Sequence, residues 1–309
     1  MKKNFLLLTT LGIILILGGF LRFVNLSSRG IFSWDEGHYT GVLYTLHAAI
    51  RYIINTFIFG KDLGEFSEYM LTYGINHYLA GKPTFFVLGL IATLFSGLHI
   101  YTLQLVSALT GLLTIAVIYY ISCALGQKQI GIIAAFMLAI SYFHIYYSRT
   151  ALPQISSVFF AYSAVLFYIY AMRKDKLATE NFCYNKFLLL AGLTIGFAFS
   201  SHYNLFWMPF VFWFSEILHY STNLKGKPFG LKLRRFLIFS FFMALPLLGY
   251  ELFLRAIKIY IYYHPQWITA ISGSSGQGEF LTYFEQLKTQ ISQSKHFSDT
   301  ANALSNKLF

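Results

Sequence analysis

The adjacent acids Asp35 and Glu36 and the cations Lys82 and Arg149 are the side chains whose type and setting could do chemistry. A carboxylate near a membrane interface and partly shielded from water is a good general base. Desolvation raises its pKa toward the working pH while nearby cations keep it ionised. Adjacent residues point in different directions, so the two acids act separately. One serves as base; the other holds substrate, a metal or a neighbouring cation. Lys82 and Arg149 each sit beside the start of an apolar segment and suit a phosphate, lysine as a point charge and arginine through bidentate hydrogen bonds. Simpler readings compete. The acids could cap a helix that starts near Tyr39, where negative charge is favourable, and the cations could snorkel toward lipid headgroups. Arg29 has the same two readings, and for Arg51 snorkelling is preferred.

The elements that must position these residues are set by composition. Of the 309 residues 56% are hydrophobic and 11% charged, with 33 Phe and 23 Tyr, which defines a polytopic, all-α membrane protein. The first apolar run, 5–24, follows Lys2-Lys3 and approaches the roughly 20 residues that span a bilayer. No small-x-small cleavage site follows it, so it reads as a retained anchor rather than a signal peptide. A net charge of +11 could suggest nucleic acid, yet the basic residues gather between apolar runs, at 173–176 and 225–235. That is the positive-inside pattern, which sets orientation rather than a partner.

With Lys2-Lys3 inside, the stretch 25–81 lies outside and carries Arg29, Asp35, Glu36, Asp62, Glu65 and Glu68. Within it, 39–59 has a helical apolar period and predicts amphipathic helices on the membrane surface. The run 85–98 is too short to cross and is read as re-entrant or interfacial. Crossings follow at 101–125, 130–147, 155–172, 187–199, 205–218 and 236–263. The domain reading is therefore a transmembrane domain over 1–263 with an external loop at 25–82, and an extracytoplasmic tail over 264–309. Because no closing transmembrane segment follows, that tail is either a small external appendage or the frame continues beyond it. The 272–278 stretch, rich in Gly and Ser, predicts a flexible loop.

The remaining chemistry-bearing residues have simpler readings. His38, His77, His144 and His202 show no metal-ligand spacing, and hydrogen-bonded structural roles are preferred for them. A divalent cation is left open. Cys123 and Cys183 are read as reduced and structural. Trp34 has a stacking role on a sugar as one reading and membership of an interfacial aromatic belt as the other.

These residues carry a family resemblance. The string Phe32-Ser33-Trp34-Asp35-Glu36-Gly37-His38-Tyr39 after an N-terminal anchor resembles the GT-C membrane glycosyltransferases, as do Gly81-Lys82-Pro83, Leu105-Val106-Ser107-Ala108-Leu109-Thr110-Gly111, Tyr146-Tyr147-Ser148-Arg149-Thr150-Ala151 and Phe159-Phe160. The similar branch holds the protein O-mannosyltransferases and the bacterial aminoarabinose transferases, often labelled dolichyl-phosphate-mannose-protein mannosyltransferase-like, and the resemblance covers about residues 5 to 260. It implies a GT-C helical bundle in a bacterial inner membrane with the site facing outside. It also implies inverting transfer of a sugar from a polyprenyl-phosphate donor to a lipid, glycan or protein acceptor. In that scheme Asp35 is the base, with Glu36 beside it as the second catalytic candidate. Lys82 and Arg149 hold the departing lipid phosphate, and Trp34, Arg29, His38 and Gln154 complete the substrate-binding candidates. The absence of a P-loop or dinucleotide fingerprint agrees with a donor that is not a nucleotide.

Three positions depart from the pattern: Gln104 stands where many relatives carry Arg, Thr84 where they carry a second proline, and Gln154 where they carry an acid. If the cation and the acid pair in relatives, the two glutamines are expected to hydrogen-bond to each other instead. A non-catalytic binding or assembly subunit and a transporter are the competing classes. Against a transporter, ionisable residues are nearly missing from the middle of the apolar runs and no inverted repeat is seen.

Overall fold

The computed structural model describes residues 2–59, 82–175, 185–222 and 228–262, together with Gly226 and Lys288. Asp62, Glu65, Glu68, His77, Cys183, the 272–278 stretch and nearly all of the tail lie outside the described residues. Every regular element among the described residues is helical. They are α1 (Lys2–Phe23), α2 (Trp34–Phe59), α3 (Pro83–Ser96), α4 (Thr102–Ala124), α5 (Lys128–Ile140), α6 (Tyr142–Ser148), α7 (Gln154–Asp175), α8 (Lys186–Ser201), a 3-10 turn (Tyr203–Leu205), α9 (Met208–Thr222) and α10 (Phe229–Tyr262).

Local chemistry explains the ends. Pro83 opens α3, where its missing N–H costs nothing. Gly97 and Gly126 follow α3 and α4 with φ of 76° and 84°, a region that favours glycine. Asn185 caps α8 by accepting from the Phe187 N–H at 3.1 Å. Among the described residues four helices are long and apolar enough to cross a membrane: α1 over Phe5–Phe23, α4, α7 and Phe229–Phe253 of α10. The count rises to five if α5 and α6 form one broken span. Those two stand where the sequence predicts one crossing over 130–147, with a bend of 61° at Ser141. The α3 helix has 14 residues and α8 has 16, both short of the roughly 20 that a span needs. For α3 this agrees with the sequence.

The chain divides into two compact units, residues 1–44 with 82–247 and residues 45–81 with 248–309. The second contains, among the described residues, the later parts of α2 and α10, where Arg255 pairs with Glu251 at 2.6 Å. The first is a bundle around α4, which packs against α1, α3, α5, α6 and α7. Leu11 and Ile14 of α1, Ile115 and Tyr119 of α4, and Ala135 and Ala139 of α5 form one core. Ala164, Leu188, Ile195, Phe212 and Phe239 centre another among α7 to α10. Between apolar helices in lipid the hydrophobic drive is weak, so small residues and polar bridges carry the association. Ser107 donates to the Leu152 carbonyl at 3.1 Å, and Ser157 to that of Ala198 at 2.8 Å.

Two further features hold this unit. At one end Arg235 is fully buried, forked on Glu216 at 2.9 and 3.0 Å and paired with Asp175 at 2.8 Å. His219 and Asn185 reach the same Asp175 carboxylate, at 3.4 and 3.0 Å. Along α8, a Cβ on Gly196 would stand 2.5 Å from the Met243 carbonyl and 2.7 Å from Pro246 of α10. Backbone cannot yield there, so Gly196→Ala should destabilise by about 1–3 kcal/mol, read as a lower melting temperature in detergent. An unchanged melt would show that α8 and α10 can part without cost.

Candidate active site

The acids do not lie in a loop before a helix that starts near Tyr39. They occupy the first turn of α2, which begins at Trp34. Ser33 is the reason: its hydroxyl accepts from the Glu36 N–H at 3.2 Å, satisfying one of the open donors of a helix start. The signal was present in Ser33-Trp34-Asp35-Glu36, a Ser-x-x-Glu capping pattern.

Neighbouring residues on a helix are about 100° apart, and here that angle separates the acids completely. Glu36 turns inward and is 1% exposed. Its Oε1 accepts from Arg29 Nη1 at 2.9 Å and from the Ala151 N–H at 3.0 Å, and its Oε2 accepts from the Phe32 N–H at 2.9 Å. Three donors fix this carboxylate, which ties the start of α2 to the turn after α6. Asp35 is exposed and makes no hydrogen bond or ion pair among the described residues. It is therefore less shielded than the sequence suggests, because it lies on the outward side of the first turn while Glu36 takes the inward one.

Lys82 comes to Asp35 from the start of α3. It donates to the Tyr39 hydroxyl at 2.5 Å. Burial lowers its pKa and Asp35 works the other way. His202, in the turn after α8, is held at about 4, chiefly by burial and then by Lys82, so it is neutral near pH 7. Its Nδ1 accepts from the Asn204 N–H at 3.2 Å, which is the hydrogen-bonded structural role predicted for it. Thr84, in place of the relatives' proline, shares a hydrogen bond with Ser200 at 2.5 Å and joins α3 to α8.

Arg149 stands at the end of α6, half-buried, with Nη1 donating to the Leu21 carbonyl at 3.0 Å. Burial lowers its pKa, and Arg29 adds to that. Arg149, Arg29 and Glu36 thus form one group, and Asp35, Lys82, Tyr39 and His202 another; the first turn of α2 joins them. Trp34 is 78% exposed and stacks on His38, with ring centroids 4.8 Å apart.

Arg22 carries no role in the sequence reading, yet it supports this site. Buried in the last turn of α1, it donates to the carbonyls of Ala139 at 3.1 Å and Leu138 at 3.3 Å and to His144 Nδ1 at 2.6 Å. Those carbonyls end α5, where the bend deprives them of helical partners, and in an apolar setting such groups must be satisfied by protein. The clue was a lone arginine inside an apolar run.

The expected Gln104 to Gln154 hydrogen bond is not formed. Gln104 Nε2 instead donates to the Gly30 carbonyl at 2.7 Å, presented by a backbone at φ 76°. The Oε1 atoms of both glutamines are buried without a partner. Among the described residues no three His, Cys, Asp or Glu side chains converge as a metal site would require, and Glu36 is committed to other donors.

The helical membrane bundle has the GT-C architecture. Its fold is similar to that of the archaeal oligosaccharyltransferase AglB from Archaeoglobus fulgidus, solved with an inhibitory peptide and a dolichol-phosphate. The TM-score is 0.55 at 21% identity, over 80% of this chain and 30% of that one. A second structure of an Archaeoglobus fulgidus oligosaccharyltransferase, tethered to an acceptor peptide, aligns with a TM-score of 0.47 at 23% identity, over 64% of this chain and 24% of that one. The chain thus spans under a third of the length of either. The family model for dolichyl-phosphate-mannose-protein mannosyltransferases matches residues 12–263, and the chain belongs to that family. It is a multi-pass integral membrane protein. Among curated proteins no match was found.

Proposed function

We propose that this chain is an inverting glycosyltransferase that moves a sugar from a polyprenyl-phosphate carrier to an acceptor hydroxyl at the extracytoplasmic face. The observation that carries it is the split between the two acids, which leaves Asp35 exposed and unpaired beside Lys82 while Glu36 is locked among three donors. Family membership supports a lipid-phosphate sugar donor. The positive-inside charge pattern of the sequence supports the orientation.

In the transfer the acceptor hydroxyl attacks the anomeric carbon from the side opposite the phosphate, and Asp35 takes its proton. The bond between that carbon and the phosphate oxygen breaks with its electron pair passing to the phosphate, which gains one negative charge. Lys82, and Arg149 through the nitrogens not used on Leu21, stabilise that charge as it develops. Glu36 is then a positioning residue: it fixes the first turn of α2 against Arg29 and the turn that follows Arg149. Trp34 and His38 offer an exposed aromatic face to the sugar or acceptor, and Gln154 lies at the start of α7 as a further substrate contact.

The test is transfer from a labelled polyprenyl-phosphate mannose by membranes that contain the full chain. Lys82→Met should raise the KM for that donor by about 10- to 100-fold, the worth of one hydrogen bond to a charged group. Transfer with an unchanged donor KM in Lys82→Met would remove the phosphate clamp.

A further inference from the structure

Tyr39 joins two helices at the site, and the transfer just described gives it no part. It lies one turn after Asp35 on α2, so both share a helix face. Its ring stands edge-on to Phe86 of α3, with centroids 6.0 Å apart. Lys82 lies over the same ring, Nζ 4.5 Å from the centroid, and donates to the phenol oxygen.

Lys82 is poorly placed to stay charged. It is the N-cap residue of α3, at the positive end of the helix dipole, where a cation is disfavoured. Burial acts in the same direction. Among the described residues the groups that face it are few. From α2 come Asp35, which favours the ammonium, and Tyr39. From the turn after α8 comes His202, which stays neutral. Tyr39 also stays neutral, pushed up to about 12 by burial and then by Asp35 and Tyr203. Among the described residues the ammonium therefore has one anion nearby and one neutral acceptor in direct contact, with a π face beneath it. A lysine carries three donors. With one spent on Tyr39, two remain for a ligand.

Resting on the lipid-phosphate reading above, we propose that Tyr39 is a positioning residue whose hydroxyl and ring hold the Lys82 ammonium beside Asp35, ready for the phosphate of the carrier. Tyr39 acts through Lys82. Its removal should therefore change how phosphate binding depends on pH, which a merely structural tyrosine would not do.

The experiment measures binding of dolichyl phosphate to the purified full chain in detergent from about pH 6 to about pH 10. Wild-type affinity falls as pH rises through the Lys82 pKa. In Tyr39→Phe the ring and its packing remain but the acceptor is gone, so the fall should begin about one pH unit lower. Once the pH exceeds both pKa values affinity should be about tenfold weaker than wild type, and toward the acid end of the range it should approach wild type as the lysine becomes charged in both. A Tyr39→Phe curve that overlays the wild type, or is lowered equally at every pH, overturns the role of Tyr39 alone. Wild type that does not bind, or Lys82→Met that binds as wild type does, overturns the phosphate reading and this inference with it.

Discussion

Asp35→Asn should slow sugar transfer by about 10²- to 10⁴-fold, the usual contribution of a positioned general base, while binding of the lipid phosphate near neutral pH survives. The substitution keeps the shape and removes only the proton acceptor. Asp35 is exposed and makes no hydrogen bond or ion pair among the described residues, so no such fold interaction is lost with it. One secondary effect follows from the geometry. Asp35 offsets the burial that lowers the Lys82 pKa, so in Asp35→Asn the alkaline fall in phosphate binding should move to lower pH. Paired measurements of transfer rate and phosphate affinity decide the class. A catalytic chain loses the first and keeps the second, whereas a binding or assembly subunit keeps its function with either residue. Equal label transfer by wild type and Asp35→Asn would remove the assignment of Asp35 as base.

The second large effect is on stability. Arg235→Met should destabilise the chain by about 3–5 kcal/mol, because it leaves Asp175 and Glu216 buried without their cation. Helix ends of α7, α9 and α10 meet in this cluster, with Asn185 at the start of α8, so its loss should loosen that whole end of the bundle. In a melting experiment in detergent the midpoint should fall by on the order of 10 °C. The control is Asp175→Asn with Glu216→Leu and Arg235→Met together. That set removes the charges as well as their partner and should lose less than Arg235→Met alone. A single variant that melts with the wild type would show that water or lipid headgroups replace the arginine.

Two kinds of information separate clearly in this protein. Residues acting over short range could be read from the sequence. The apolar runs determine helices because a chain in lipid must satisfy its own backbone. The helix start at Ser33 was written in its capping pattern even though the period of 39–59 suggested a later one. Lys82 and Arg149 were recognisable as cations beside the ends of apolar runs, where they flank α3 and α6, and the shortness of α3 followed from the length of its run. Arg22 and Gln104 could not be read in this way. Their partners, the carbonyls of Leu138, Ala139 and Gly30, are backbone atoms far along the chain, and backbone atoms leave no mark in a sequence.

By itself, then, the sequence determined the all-helical membrane class and the residues able to do chemistry. Only the tertiary structure decided which of two adjacent acids is free. That choice depends on the Ala151 N–H, 115 residues away, and on Arg29, which together with Phe32 occupy Glu36. Identical functional groups one residue apart are indistinguishable until folding brings donors to one and leaves the other to face outward.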